Sequence, residues 1–130
     1  MKKVLFACVE NSCRSQIAEG FAIIYGTNIM MPFSAGSKAS GKINKKAVIV
    51  MAEIGYDLTL HVSKGLDEFT DSKLDYLITL GCKDECPNIK SKFRKEWDIP
   101  DPKNMNLEDF CKVRNLIEKS VLSLIDEIRQ

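Results

Sequence analysis

Residues 4–7, Val-Leu-Phe-Ala, form an unbroken apolar run, and a polar segment follows at once. A strand with no polar face is buried on both sides, which places it inside a parallel sheet covered by helices. The rest of the chain agrees with that start. Ile17, Phe21 and Ile24 recur at helical spacing behind the polar segment, and Gly26 stands where that helix should stop. Residues 29–33 read as a second strand, with Pro32 arguing against a central position for its later half. Residues 44–54 read as a second helix ended by Gly55, residues 74–80 as a third strand, and residues 96–99 as a short fourth. The last helix starts from an Asn106 cap and runs to about Ile128, with Phe110, Val113, Ile117, Val121, Leu124 and Ile128 in one stripe. The expected fold is α/β: one domain, residues 1–130, with a four-stranded parallel sheet and helices on both faces.

Composition narrows the function classes. A chain of 130 residues can bury about two-thirds of its unfolded surface and needs no staple. Nineteen Lys and Arg against eighteen Asp and Glu give a net charge of +1 with no basic stripe, which argues against a nucleic-acid partner. Met1-Lys2-Lys3 resembles the charged start of a signal peptide, but the apolar run behind it is too short for the hydrophobic region. No segment approaches the ~20 apolar residues of a membrane span. A cytoplasmic monomer with no membrane partner is expected. In a reducing compartment the five cysteines point to catalysis or metal binding before structural bridges.

The polar segment is Cys8-Val9-Glu10-Asn11-Ser12-Cys13-Arg14-Ser15. In open parallel sheets ligands bind at the carboxyl ends of strands, where both this segment and the loop after Leu80 fall. A turn from strand to helix can converge its amides on a tetrahedral anion, which also meets the positive end of the helix dipole. Arg14 can fork two oxygens of that anion as a lysine cannot. The same field favours the charged form of Cys8 and makes it a nucleophile. Asn11 and Ser15 are expected to hydrogen-bond within the loop, Ser15 donating to the Cys8 sulfur. The competing reading is a buried thiol at a strand end, and the role of Arg14 rests on Cys8.

A second cluster is Gly81-Cys82-Lys83-Asp84-Glu85-Cys86-Pro87. Its charged residues suggest a solvent-facing loop. Cys82 and Cys86 could be a redox pair, two ordinary thiols, or half of a zinc site completed by His61 or Cys111.

Cys8-x5-Arg14-Ser15 near the start, followed much later by Asp101-Pro102, resembles the low-molecular-weight protein tyrosine phosphatase fold family over essentially the whole chain. Within it the similarity is greatest to the thioredoxin-coupled arsenate reductases. The run from Asn11 to Gly20 carries it, with Ser34-Ala35-Gly36, Cys82 with Cys86-Pro87, and Trp97 before Asp101. Gln16 replaces a proline usual in the phosphatases, and Lys103-Asn104 stand where they carry tyrosines.

The resemblance implies arsenate as substrate, with phosphate or sulfate as analogues, and a relay of thiols. Cys8 attacks arsenate; Cys82 then attacks Cys8, releasing arsenite; Cys86 takes the disulfide from Cys82, and thioredoxin reduces the Cys82–Cys86 bridge. A small-molecule thiol acting directly on the Cys8 adduct is the other source of electrons. Asp101 would protonate the departing hydroxyl or help ionise Cys82; on residues alone it is equally a turn residue before proline. Cys13 reads as structural or as an oxidative partner for Cys8. Glu10 departs from the glycine of many relatives, and its carboxylate should repel an anion unless it points to solvent. His61 and Cys111 read as structural. Glu19 and Ser34 match residues that hold potassium in some of these reductases, but Lys64 stands where an acidic ligand is expected, so neither metal nor cofactor is expected. The alternative function is a phosphatase with a Cys8 phosphocysteine and Asp101 as acid; a third is a non-catalytic thiol sensor, which would not need Asp101.

Overall fold

The protein is described by a computed structural model covering residues 1–70, 72–81 and 89–130. Cys82 and Cys86 lie outside the described residues. Strand β1, Lys2–Cys8, is central in a four-stranded, all-parallel sheet of order β2-β1-β3-β4. Its side chains alternate between two cores, which is why the run needs no polar face. Val4, Phe6 and Cys8 join one cluster with α1 (Arg14–Tyr25), α2 (Lys45–Ala52) and α3 (Leu107–Arg129). Leu5 and Ala7 face the other way, against Ala35, Leu77 and Phe69 of a 3-10 turn, Leu66–Phe69. Burying each large aliphatic or phenyl side chain contributes about 1.5–3 kcal/mol, so this strand alone anchors both cores.

Strand β2, Met30–Gly36, is longer than the 29–33 expected from sequence. Ser34, Ala35 and Gly36 are small and carry no β-former signal, yet they pair with Phe6, Ala7 and Cys8. β2 is an edge strand, where the missing N–H of Pro32 is tolerated. Strand β3 spans Leu74–Leu80, the bounds its apolar run suggests.

The fourth strand needs correction: β4 is Ser91–Trp97, not residues 96–99. Its sequence, SKFRKEW, is charged because the strand is the other edge and largely exposed, so no apolar run announces it. α1 stops at Gly26, whose N–H donates to the Ala22 carbonyl. α2 starts at an Asn44 cap and ends two residues before the expected Ile54. α3 carries the Asn106 cap and buries Phe110, Val113, Ile117, Val121 and Leu124, with Ile125 added to the stripe. Among the described residues no helix is long and apolar enough to cross a membrane.

β1 and β3 are neighbours, and their chains leave the sheet toward opposite edges. The carboxyl ends of these strands, Cys8 and Leu80–Gly81, therefore open onto one crevice.

Candidate active site

The loop from Cys8 to Arg14 is held by its carbonyl groups. The Cys8 carbonyl accepts from Ser37 N–H, Val9 from Lys38, Glu10 from Ser40, and Ser12 from Asn44, at 2.8–3.2 Å. The Asn11 carbonyl accepts from Gln16 Nε2 at 3.0 Å. A planar peptide points its N–H opposite its carbonyl, so fixing these oxygens outward turns the amides of residues 9–13 inward. No side chain caps the start of α1, which suits a helix end whose amides serve an anion. Gly36 lets the loop lie on β2, since a Cβ there would strike the Val9 carbonyl.

Val9, Glu10, Ser12, Cys13, Arg14, Asp101 and Lys103 line the resulting small pocket, with Cys8, 3% exposed, among them. Larger grooves lie between β4 and α3 and beside Asp75, and no cysteine is among the described residues that line them. Arg14 Nη1 donates to the Ile99 carbonyl at 3.1 Å, and its Nη2 lies 3.8 Å from Asp101 Oδ2. Asp101 lines the pocket, and its Oδ1 accepts Lys103 N–H at 3.1 Å in a turn.

Asn11 and Ser15 are expected oxyanion-binding residues that lie beneath the pocket, fully buried, rather than in its wall. Asn11 takes a left-handed conformation, φ 52°, and its side chain holds the loop there. Asn11 Nδ2 donates to Ser15 Oγ at 2.8 Å, and Asn11 Oδ1 accepts from Gln16 Nε2 and Lys64 N–H, both at 2.8 Å. Ser15 Oγ lies 2.8 Å from Cys8 Sγ. With Asn11 donating to that hydroxyl, its own proton is directed at the sulfur.

The network continues beyond the loop to Gln16, His61 and Tyr56. Gln16 Oε1 faces His61 Nδ1 at 2.9 Å, and His61 Nε2 faces the Tyr56 hydroxyl at 2.6 Å. An amide oxygen only accepts, so Nδ1 carries the proton and Tyr56 donates to Nε2. Burial pushes the imidazole below its usual range, against the pull of Glu19 and with the push of Lys64. His61 is a buried link in a hydrogen-bonded chain that runs from Tyr56 through Gln16, Asn11 and Ser15 to Cys8. The one signal in the sequence was Gln16, in the place of a proline.

Glu19 Oε1 accepts from Ser34 Oγ at 2.6 Å, and Lys64 Nζ reaches the Val62 carbonyl at 3.2 Å. The two residues matched to potassium ligands in some relatives thus hydrogen-bond to each other. Among the described residues no group of three His, Cys, Asp or Glu side chains is placed to hold a metal. Cys111 faces Glu53 on the α2 side of α3, away from the pocket.

Burial is the main cause that pushes the Cys13 thiol from 9.0 up to about 11, opposed by its Ser12 contact and reinforced by Asp101 and Cys8. Between pH 9 and 11 the unfolded chain releases this proton while the folded chain keeps it. Its stabilising effect is complete below pH 9 and is lost as pH rises toward 11, by about 2 kcal/mol. Denaturant midpoints across that window should fall more steeply for the wild type than for Cys13→Ser.

The low molecular weight phosphotyrosine protein phosphatase family matches residues 3–130. The chain belongs to that family. Among family members, it is 35% identical over 131 residues to a glutaredoxin arsenate reductase of Synechocystis sp., covering 98% of this chain and 99% of that one. The fold is similar to an arsenate reductase in the phosphate binding state, with TM-score 0.86, 35% identity and coverage of 98% and 99%. It is also similar to a thioredoxin-dependent arsenate reductase of Corynebacterium glutamicum, with TM-score 0.83 and 28% identity, over 99% of this chain and 62% of that one.

Proposed function

We propose that this protein reduces arsenate to arsenite, with Cys8 as the nucleophile. The observation that carries this reading over an aryl-phosphatase one is the pocket lining. Among the described residues none of the eight that line it is aromatic, which leaves no ring to stack on a phenyl group, while loop amides and Arg14 suit a bare tetrahedral oxyanion. Arsenate reductases 35% identical over nearly the whole chain support the same reading.

Cys8 Sγ attacks arsenic(V), an S–As bond forms, and a hydroxyl leaves as water with a proton from the Asp101 carboxyl. A second thiolate attacks Cys8 Sγ; the S–As electron pair passes to arsenic, which departs as arsenite, and a disulfide remains. Cys82 is that second thiol, and Cys86 then attacks Cys82 and frees Cys8. Gly81, the last described residue before them, lies against the Arg14 guanidinium at the edge of the pocket. An external dithiol restores the pair; the relatives include a glutaredoxin arsenate reductase and a thioredoxin-dependent one.

The test is arsenate-dependent NADPH oxidation coupled through thioredoxin and its reductase, with a glutaredoxin and glutathione arm in parallel. Turnover with thioredoxin that disappears in Cys82→Ser is expected. If neither arm turns over arsenate while both pass their controls, the reading falls and a phosphatase with a Cys8 phosphocysteine takes its place.

A further inference from the structure

A carboxylate at residue 10 would face every anion entering the pocket. The fold supplies its counter-charge from 93 residues away: Lys103 Nζ lies 2.8 Å from Glu10 Oε2. Lys103 is held there by its backbone. Pro102 is buried, and Lys103 N–H donates to Asp101 Oδ1, so the turn that brings Asp101 to Arg14 also aims Lys103 across the pocket. The hydrogen bond to Glu10, and then its charge, raise the ammonium above the ordinary lysine range, which keeps it cationic. Both residues line the pocket, yet their side chains are 35% and 50% exposed, which puts the pair at the mouth.

We propose that the Glu10–Lys103 pair determines which oxyanions enter: it cancels the repulsion of Glu10 and narrows the mouth, admitting inorganic tetrahedral anions and rejecting aryl phosphate esters. This rests on the anion-cradle part of the function proposed above, not on the reduction step. Each side chain has a distinct task. Lys103 offsets a like charge, and the two stems together occupy the space an ester's ring would need. An exposed ion pair contributes little to folding, so its loss should leave the cradle intact.

Protection of Cys8 from iodoacetamide reads anion binding without any turnover. The titrants are inorganic phosphate and phenyl phosphate, applied to wild type, Lys103→Ala, Glu10→Ala and the double variant. Lys103→Ala should weaken phosphate protection about three- to tenfold, more at low salt than at high salt, because Glu10 is then unopposed. Glu10→Ala should tighten it, since Lys103 then adds to Arg14. The double variant should return to within about twofold of wild type for phosphate, because both charges are gone, and should bind phenyl phosphate at least about tenfold more tightly.

Single variants that stay within twofold of wild type, or that shift phosphate in the same direction, would overturn the charge role. Phenyl phosphate binding unchanged in the double variant would overturn the size role. A wild type that phosphate does not protect would remove the cradle itself and this proposal with it. Failure of arsenate turnover beside the expected protection pattern would sink only the reductase reading.

Discussion

Arg14→Lys should lower kcat/KM for arsenate by about a thousandfold, about 4 kcal/mol of transition-state stabilisation, while costing the fold only about 1 kcal/mol. Arg14 is 8% exposed and its guanidinium is already committed on one side, donating to the Ile99 carbonyl and lying near Asp101. Its five N–H groups spread from a plane, so those contacts leave others for two oxygens of an anion. An ammonium has its donors on one atom and cannot hold Ile99 and fork an anion at once. The site for the plane is itself built: Gly81 has φ 78°, and a Cβ there would land on Arg14 Nη1. Lysine would leave that space partly empty. Steady-state kinetics beside a denaturation curve separate the two effects. A kcat/KM within tenfold of wild type would show that the guanidinium fork does not hold the reacting anion.

The second large effect is on the buried amide beneath the loop. Asn11→Ala should destabilise the protein by about 3 kcal/mol and reduce turnover at least about tenfold. Alanine at φ 52° is strained by about 1 kcal/mol, and the substitution removes partners from Ser15 Oγ, Gln16 Nε2 and Lys64 N–H. Asn11→Gly separates the causes. Glycine takes the left-handed backbone without strain, so it should recover about 1 kcal/mol of stability, yet it restores none of the side-chain bonds. Turnover should stay low in both variants, because Ser15 loses the donor that directs its proton at Cys8 Sγ. Full activity in Asn11→Gly would mean that backbone shape alone orients the sulfur.

What could be read in advance follows from where each signal is stored. Strand β3 was legible to the residue because it is buried on both faces and its apolar run has no competing period. Strand β4 was not, since an exposed edge strand spends its positions on Lys92, Arg94 and Lys95 and looks like a loop. The meeting of Cys8, Arg14 and Ser15 around one loop was legible because it depends on local spacing. The chain from Cys8 to Tyr56 was not, because Gln16 and His61 meet across 45 residues and a single histidine has no spacing to interpret. The carboxylate of Glu10 beside an anion loop is visible in the sequence; its counter-charge, Lys103, is a tertiary contact that no local pattern encodes.

The outward carbonyls of residues 8, 9, 10 and 12 have one more consequence. They are fastened to residues 37–44, so the cradle has its shape before any ligand arrives, and the entropy of ordering it belongs to folding. A rigid receptor of that kind responds to charge and outline alone. Arsenate and phosphate share both, so a reductase built on this loop must admit the two about equally. Its discrimination then comes after binding, at the step where arsenic accepts the S–As electron pair and phosphorus does not. The selective element is the element's own redox chemistry, and the protein's part is to wait with a thiol for the anion that can be reduced.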